Sequence, residues 1–141
     1  MDTIEHWKHL TRQANDAFEK ECNAVAESLY KRSLSLMQQA LENQPGLVQV
    51  ICLSVSVQNL ADLYARQGRW QRCFTILETY RTRFDHAAES LDCPPSVGLS
   101  LIQESCRLRR EILRHQHEQS HPHTLPDRSW VSSLPMTERV H

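Results

Sequence analysis

The residues best suited to chemistry in this chain are histidines, which gather at one point near the C-terminus. The stretch HQHEQSHPH carries four of the chain's eight histidines, at His115, His117, His121 and His123. Imidazole nitrogens at such spacing can hold zinc, nickel or copper. A closed structural site needs four firm ligands on a rigid frame, whereas this stretch lies at the junction between the fifth predicted helix and a predicted mobile tail. We therefore interpret it as a solvated polar segment with incidental, weak metal affinity.

Other arrangements that could support catalysis are scarce. The sequence predicts no glycine-rich phosphate loop, no nucleophile elbow and no metalloprotease helix. Cys106 stands beside Arg107 and Arg109, which could activate its thiol. A cysteine on a helical stripe is more often a small core residue, and we favour that interpretation. We predict a non-catalytic protein without a cofactor.

The overall composition narrows the class of protein. Sixteen Lys and Arg against 17 Asp and Glu leave a net charge of −1, which disfavours a dedicated binder of nucleic acid or anionic membranes. The positive charge of the arginines near residue 110 is partly offset by Glu104, Glu111 and Glu118, so nucleic-acid binding is a minor alternative. No apolar run approaches the roughly 18 residues of a membrane span. Five scattered cysteines indicate thiols in a reducing, cytoplasmic environment.

The elements that must position these residues are predicted to be helices. Three glycines and 40% hydrophobic residues suit long helices with few tight turns. Apolar stripes at three- and four-residue steps predict about five helices, with breaks near Cys22, Pro45, Gly68 and the DCPPS stretch. The β-branched stretch 48–57 leaves a strand as the alternative, although we favour a helix that follows Pro45. We predict a helical domain over residues 1–117 and a flexible tail over 118–141.

A repeat organises the predicted helices. Ala14, Ala17, Ala26 and Tyr30 are separated by 3, 9 and 4 residues, and the same separations recur 47 residues later at Ala61, Tyr64, Cys73 and Leu77. Two helices approach closely only where small side chains face each other. The spacing therefore predicts two antiparallel helical hairpins that pack at their small residues.

The second hairpin, NLADLYARQGRWQRC, resembles the tetratricopeptide-repeat family. The resemblance lies in Leu60, Ala61, Tyr64, Gly68 and Trp70, and it is looser over residues 7–41. It implies an all-α fold in which two long hairpins and a fifth, capping helix form a right-handed superhelix. The third repeat is half present, because only its first helix can be found.

The resemblance also implies a function. Members of that family commonly hold a peptide or helix of a partner protein in a concave groove. Carried onto this chain, the groove positions are Lys8, Thr11, Asn15, Phe18, Val55, Gln58, Asp62 and Arg66. Gln58 and Asp62 interrupt the set that grips a carboxylate in the family. We expect a protein–protein interaction module; a weakly metal-binding or nucleic-acid-associated regulator is the alternative.

Two further expectations concern surfaces that the repeat leaves uncovered. The fifth helix lacks the partner that would complete a third hairpin, which predicts a homodimer. The tail carries Trp130, Val131, Leu134 and Met136, which could dock into a groove.

Overall fold

The computed structural model describes residues 2–121, and five α-helices make up nearly all of this part. They are α1 (Thr3–Glu19), α2 (Asn23–Asn43), α3 (Leu47–Arg66), α4 (Trp70–Ala88) and α5 (Pro95–Ser120). No strand occurs in the described range, so the prediction of an all-α fold is confirmed and the strand alternative at 48–57 is wrong. Residues 118–120, predicted to belong to the tail, are helical. The apolar tail residues 130–136 lie outside the described range.

Local signals explain where the helices begin and end. The side chain of Asp2 caps α1 by accepting a hydrogen bond from the backbone N–H of Glu5 at 2.9 Å. Pro95 occupies the first position of α5, where its missing N–H costs nothing. Pro45 lies two residues before α3 rather than in its first turn, and Gly46 is the residue that precedes the helix.

The two hairpins turn in the same way, at positions 47 residues apart. Each contains one residue in the left-handed region, Glu21 with a φ of 60° and Gly68 with a φ of 72°. Each turn is closed by a backbone hydrogen bond of 2.8 Å, from Cys22 N–H to the Ala17 carbonyl and from Arg69 N–H to the Tyr64 carbonyl. This is the bond pattern of a helix that ends in a left-handed residue. The repeat predicted from side chains therefore extends to the backbone.

The core lies between the two hairpins and along one side of α5. All eight repeat positions are buried, namely Ala14, Ala17, Ala26, Tyr30, Ala61, Tyr64, Cys73 and Leu77. The α1–α2 and α3–α4 pairs are joined by packing of α2 against α3, and α5 packs against α4 and α3. Burying small and large side chains in this alternation lets neighbouring helices interlock.

The central helix is α3. By length and composition alone it could cross a membrane, so the expectation that no apolar stretch has that length is wrong. In the bundle, however, 67% of its most apolar stretch is buried inside the protein, as in the core helix of a globular protein. Its buried residues include the polar Gln58 and Asn59.

Polar links tie the hairpins together. The indole Nε1 of Trp7 donates to Ser56 Oγ at 2.7 Å, which joins α1 to α3. Glu27 of α2 accepts from the Tyr64 hydroxyl at 3.2 Å and from Arg69 Nη1 at 2.9 Å. These links fix the relative positions of elements far apart in the sequence.

Candidate functional site

The predicted groove positions fall on equivalent sides of α1 and α3, but two of the eight side chains are buried and out of reach of a ligand. Thr11 and Gln58 are equivalent in the 47-residue repeat, and their exposed fractions are only 2% and 3%. The amide of Gln58 donates to Ser54 Oγ at 3.1 Å. A partner could not contact either side chain without separating the helices.

Most of the other groove positions make contacts within the chain. The Tyr30 hydroxyl donates to Asn15 Oδ1 at 2.6 Å. The guanidinium of Arg66 lies 4.8 Å from the centre of the Phe18 ring, in a cation–π contact between α3 and α1. Val55 is half-buried, and Lys8 is exposed. The surface that a ligand could reach is therefore smaller than the resemblance implies.

The remaining groove residue, Asp62, belongs to a charged cluster between α3 and α5. Its Oδ1 lies 2.9 Å from Arg114 Nη2 and 3.1 Å from Nε2 of His115. Glu111 Oε1 lies 2.8 Å from the same Arg114 nitrogen. Glu118 accepts from Arg114 Nη1 at 2.8 Å, and the buried His115 ring lies beside this set.

This cluster contains a grouping that resembles a metal site. Ligand atoms of Asp62, Glu111 and His115 lie within 4.8 Å of one another. The same three side chains surround Arg114 Nη2, at 2.9, 2.8 and 3.3 Å. Burial disfavours the charged guanidinium, but the hydrogen bond to Glu111 and the neighbouring carboxylates raise the pKa of Arg114 above its usual value. The guanidinium thus takes the place that a metal ion would need.

Three of the four clustered histidines lie in the described residues, and the structure separates the buried His115 from His117 and His121. His115 is buried, and Glu118 Oε2 lies 3.3 Å from its Nδ1, within ion-pair distance but outside hydrogen-bond geometry. His117 and His121 are exposed, and their ring centroids lie 4.3 Å apart. His123 lies outside the described residues.

Residues 117–121 read HEQSH, which is the spacing of a metalloprotease helix. The expectation that no such pattern occurs in the sequence is therefore wrong. In a metalloprotease the glutamate of this pattern is the general base and must reach the water bound to the metal. Here Glu118 pairs with Arg114 at 2.8 Å and lies 3.3 Å from the buried His115, so its carboxylate is already engaged by these two residues.

The outer side of α5 carries a row of exposed apolar residues. We call Leu99, Ile102, Cys106 and Leu113 the α5 stripe. Leu99, Ile102 and Leu113 are 59%, 50% and 59% exposed. The four stripe residues follow one another at steps of three, four and seven residues, which places them on one helical face. Cys106, expected in the core, is exposed within this row.

Residues 5–128 match the model of a family described as "Protein of unknown function (DUF2753)". The chain belongs to the DUF2753 family. The matched range covers α2 to α5 of this DUF2753 protein in full and α1 from Glu5 onward, and it ends before the apolar tail residues. No curated protein matches the chain. No solved structure matches it either.

The α5 stripe could have been found from the sequence of this DUF2753 protein. Leu101, Leu108 and Ile112 mark one apolar side of α5, and the stripe marks the opposite side. A helix with two apolar faces needs neighbours on both of them. Among residues 2–121, the structure supplies a neighbour for the first face only.

Proposed function

We propose that this protein is a non-catalytic interaction module in which the α5 stripe binds an amphipathic helix of a partner protein. The observation that carries the proposal is the position of α5. It packs against α4 and α3 through its inner face, while within the described residues its outer face, with the α5 stripe, is uncovered. Exposed apolar residues grouped on one helix face are typical of a docking surface.

Charge defines the chemistry of the partner. Arg109 and Arg110 flank the α5 stripe and form no salt bridge within residues 2–121, unlike Arg107, which pairs with Glu104 at 3.2 Å. Cations beside an apolar row favour a partner with acidic residues next to its own apolar face. We therefore propose an acidic amphipathic helix as the ligand.

A second copy of the chain is a less favourable occupant. In an antiparallel pairing centred on Cys106, Leu99 of one copy would meet Leu113 of the other. The same pairing would gather Arg109 and Arg110 of both copies, and the stripe contributes no carboxylate to offset them. Like charges in one interface oppose association.

The tetratricopeptide likeness belongs to this proposal as well. It is supported by the 47-residue repeat, by the burial of the small residues and by the left-handed Gly68 in the turn. On this view α5 is the first helix of a third repeat whose second helix is supplied by the partner. The right-handed twist and the cytoplasmic location remain predictions.

The proposal is tested with a fluorescent helical peptide of about 20 residues that carries leucines on one face and glutamates beside them. Fluorescence anisotropy should show binding that weakens as salt is added, because the attraction to Arg109 and Arg110 is screened. Ile102→Asp should lower the affinity at least about tenfold, since it places a carboxylate in the apolar contact.

Two controls make the result interpretable. Val25→Asp changes an apolar residue of α2 that is 55% exposed, and it should leave the affinity unchanged. A peptide with the same leucines and lysines in place of glutamates should bind more weakly than the acidic one. Equal binding of both peptides, or no effect of Ile102→Asp, would refute the proposed surface.

Sedimentation equilibrium distinguishes a partner helix from a second copy of the chain as the ligand of the α5 stripe. A mass of one chain is expected in the absence of the peptide. A dimer that Ile102→Asp dissociates would show that a second copy covers the stripe, as the sequence predicted, and the proposal of a foreign helix would fall.

A further inference from the structure

Two imidazoles lie on the surface at the C-terminal end of α5, one from His117 in the last turn and one from His121, the residue that follows the helix. His117 and His121 are one helical turn apart, and both are exposed. Their rings are nearly parallel, with an interplanar angle of 23° and centroids 4.3 Å apart. Two nitrogens bound to one zinc ion at about 2.0–2.1 Å lie roughly 3 Å from each other. Because a lone pair lies in the plane of its ring, binding one ion requires the two rings to turn so that one nitrogen of each points to the ion.

A hydrogen bond defines which nitrogen of His121 can act as a ligand. Its Nδ1 lies 3.0 Å from the backbone carbonyl oxygen of His117. A carbonyl oxygen can only accept a hydrogen bond, so Nδ1 carries the proton and Nε2 carries the lone pair. A carbonyl at the second ring nitrogen is the usual means of orienting a metal-binding histidine.

We infer that His117 and His121 form a binding site for a divalent transition-metal ion, with zinc and nickel as representative ions. Imidazole nitrogens suit these ions, and two histidines four residues apart on a helix bind one ion from the same face. With two protein ligands, the remaining coordination positions are filled by water or by groups of another molecule. The site is therefore open and exchangeable.

Two neighbouring groups that could also bind a metal are engaged by Arg114. Glu118 is directed to Arg114 at 2.8 Å and to His115, and its side chain is only 13% exposed. The cluster of Asp62, Glu111 and His115 already surrounds the Arg114 guanidinium. The inference rests on His117 and His121 alone and is independent of the proposed partner helix.

Isothermal titration of the untagged full-length protein with nickel chloride, and separately with zinc chloride, tests the inference. Cys22 and Cys106 are first blocked with N-ethylmaleimide, because exposed thiolates also bind these metals. One ion per chain should bind. His117→Ala and His121→Ala should each lower the affinity about tenfold or more.

Matched variants distinguish this site from the alternatives. His86→Ala changes an exposed histidine on α4 and should leave metal binding unchanged. Glu118→Gln should also leave it unchanged, because that carboxylate faces the Arg114 cluster. Nickel should slow hydrogen exchange in the last two turns of α5, since the ion links residues one turn apart.

Three outcomes would overturn the inference. They are the absence of binding by the full-length protein, affinity that persists in both His117→Ala and His121→Ala, and loss of affinity in His123→Ala with both of those variants unaffected. The last result would place the site in the C-terminal segment instead.

Discussion

At the scale of single residues, Glu21 and Gly68 both have a left-handed backbone, and exchanging a side chain for glycine, or glycine for a side chain, should change stability in opposite directions. Gly68 has a φ of 72° and no atom within 4 Å of the place where a Cβ would lie, so Gly68→Ala meets backbone strain and no clash. We expect it to lower the free energy of unfolding by about 1 kcal/mol. Glu21→Gly should raise it by a similar amount, because glycine removes the strain at a φ of 60°.

Urea unfolding followed by circular dichroism measures both changes. Gly98→Ala serves as the control, because Gly98 lies inside α5 and an added Cβ would meet Cys93 Sγ at an ordinary 3.5 Å. That variant should be neutral or stabilising. A loss of stability in Glu21→Gly would contradict the equivalence of the two turns.

The cysteines provide a second prediction at the residue scale. Burial raises the pKa of Cys52 to about 11 and that of Cys73 to about 12. Both thiols therefore stay protonated and enclosed at pH 8, whereas Cys22 and Cys106 are exposed. A thiol reagent at pH 8 should modify Cys22 and Cys106 rapidly. Modification of Cys73 at the same rate in the native protein would contradict the packing of α3 against α4.

At the scale of helices, Glu27 links α2 to the turn that precedes α4. The hydrogen bond from Lys31, and then that from Arg69, outweighs burial and lowers the pKa of Glu27 to about 2, from an ordinary value of 4.5. A carboxyl group with a lowered pKa stabilises the fold above its unfolded value and loses this contribution as the pH falls. The contribution should therefore be complete above about pH 5 and should disappear towards pH 2.

Glu27→Gln tests this link. At pH 7 we expect a loss of roughly 1 kcal/mol, the upper end for a pair that water can reach. The difference from the wild type should shrink as the pH approaches 2. Glu89→Gln, at an exposed position after α4, should show no comparable effect. A constant deficit from pH 7 to pH 2 would show that the ionised carboxylate is not the cause.

At the scale of the whole molecule, the hairpins could be predicted from sequence because their signals are local. The separations of 3, 9 and 4 residues record which side chains face each other across one turn, and all eight positions are buried. The break near Cys22 and the turn at Gly68 follow from backbone preferences within a few residues.

The candidate surfaces were harder to predict because they depend on contacts between distant residues. The pairing of Asp62 with Arg114 joins positions 52 residues apart in the sequence, and no local sequence pattern predicts it. Periodicity shows that α5 has two apolar faces, but only the packing shows which one is covered. For the same reason the sequence favours a core position for Cys106, whereas the structure places it in the exposed stripe.

Cys106 also offers the most direct measurement of the central claim, which is that the α5 stripe binds an acidic amphipathic helix. The rate at which maleimide modifies Cys106 is measured with and without the glutamate peptide, and Cys22 in the first turn serves as the internal reference. At saturating peptide, we expect Cys106 to be protected at least about tenfold while Cys22 reacts at an unchanged rate. Unchanged modification of Cys106 in the presence of bound peptide would show that the peptide binds elsewhere, and the proposed role of α5 would be wrong.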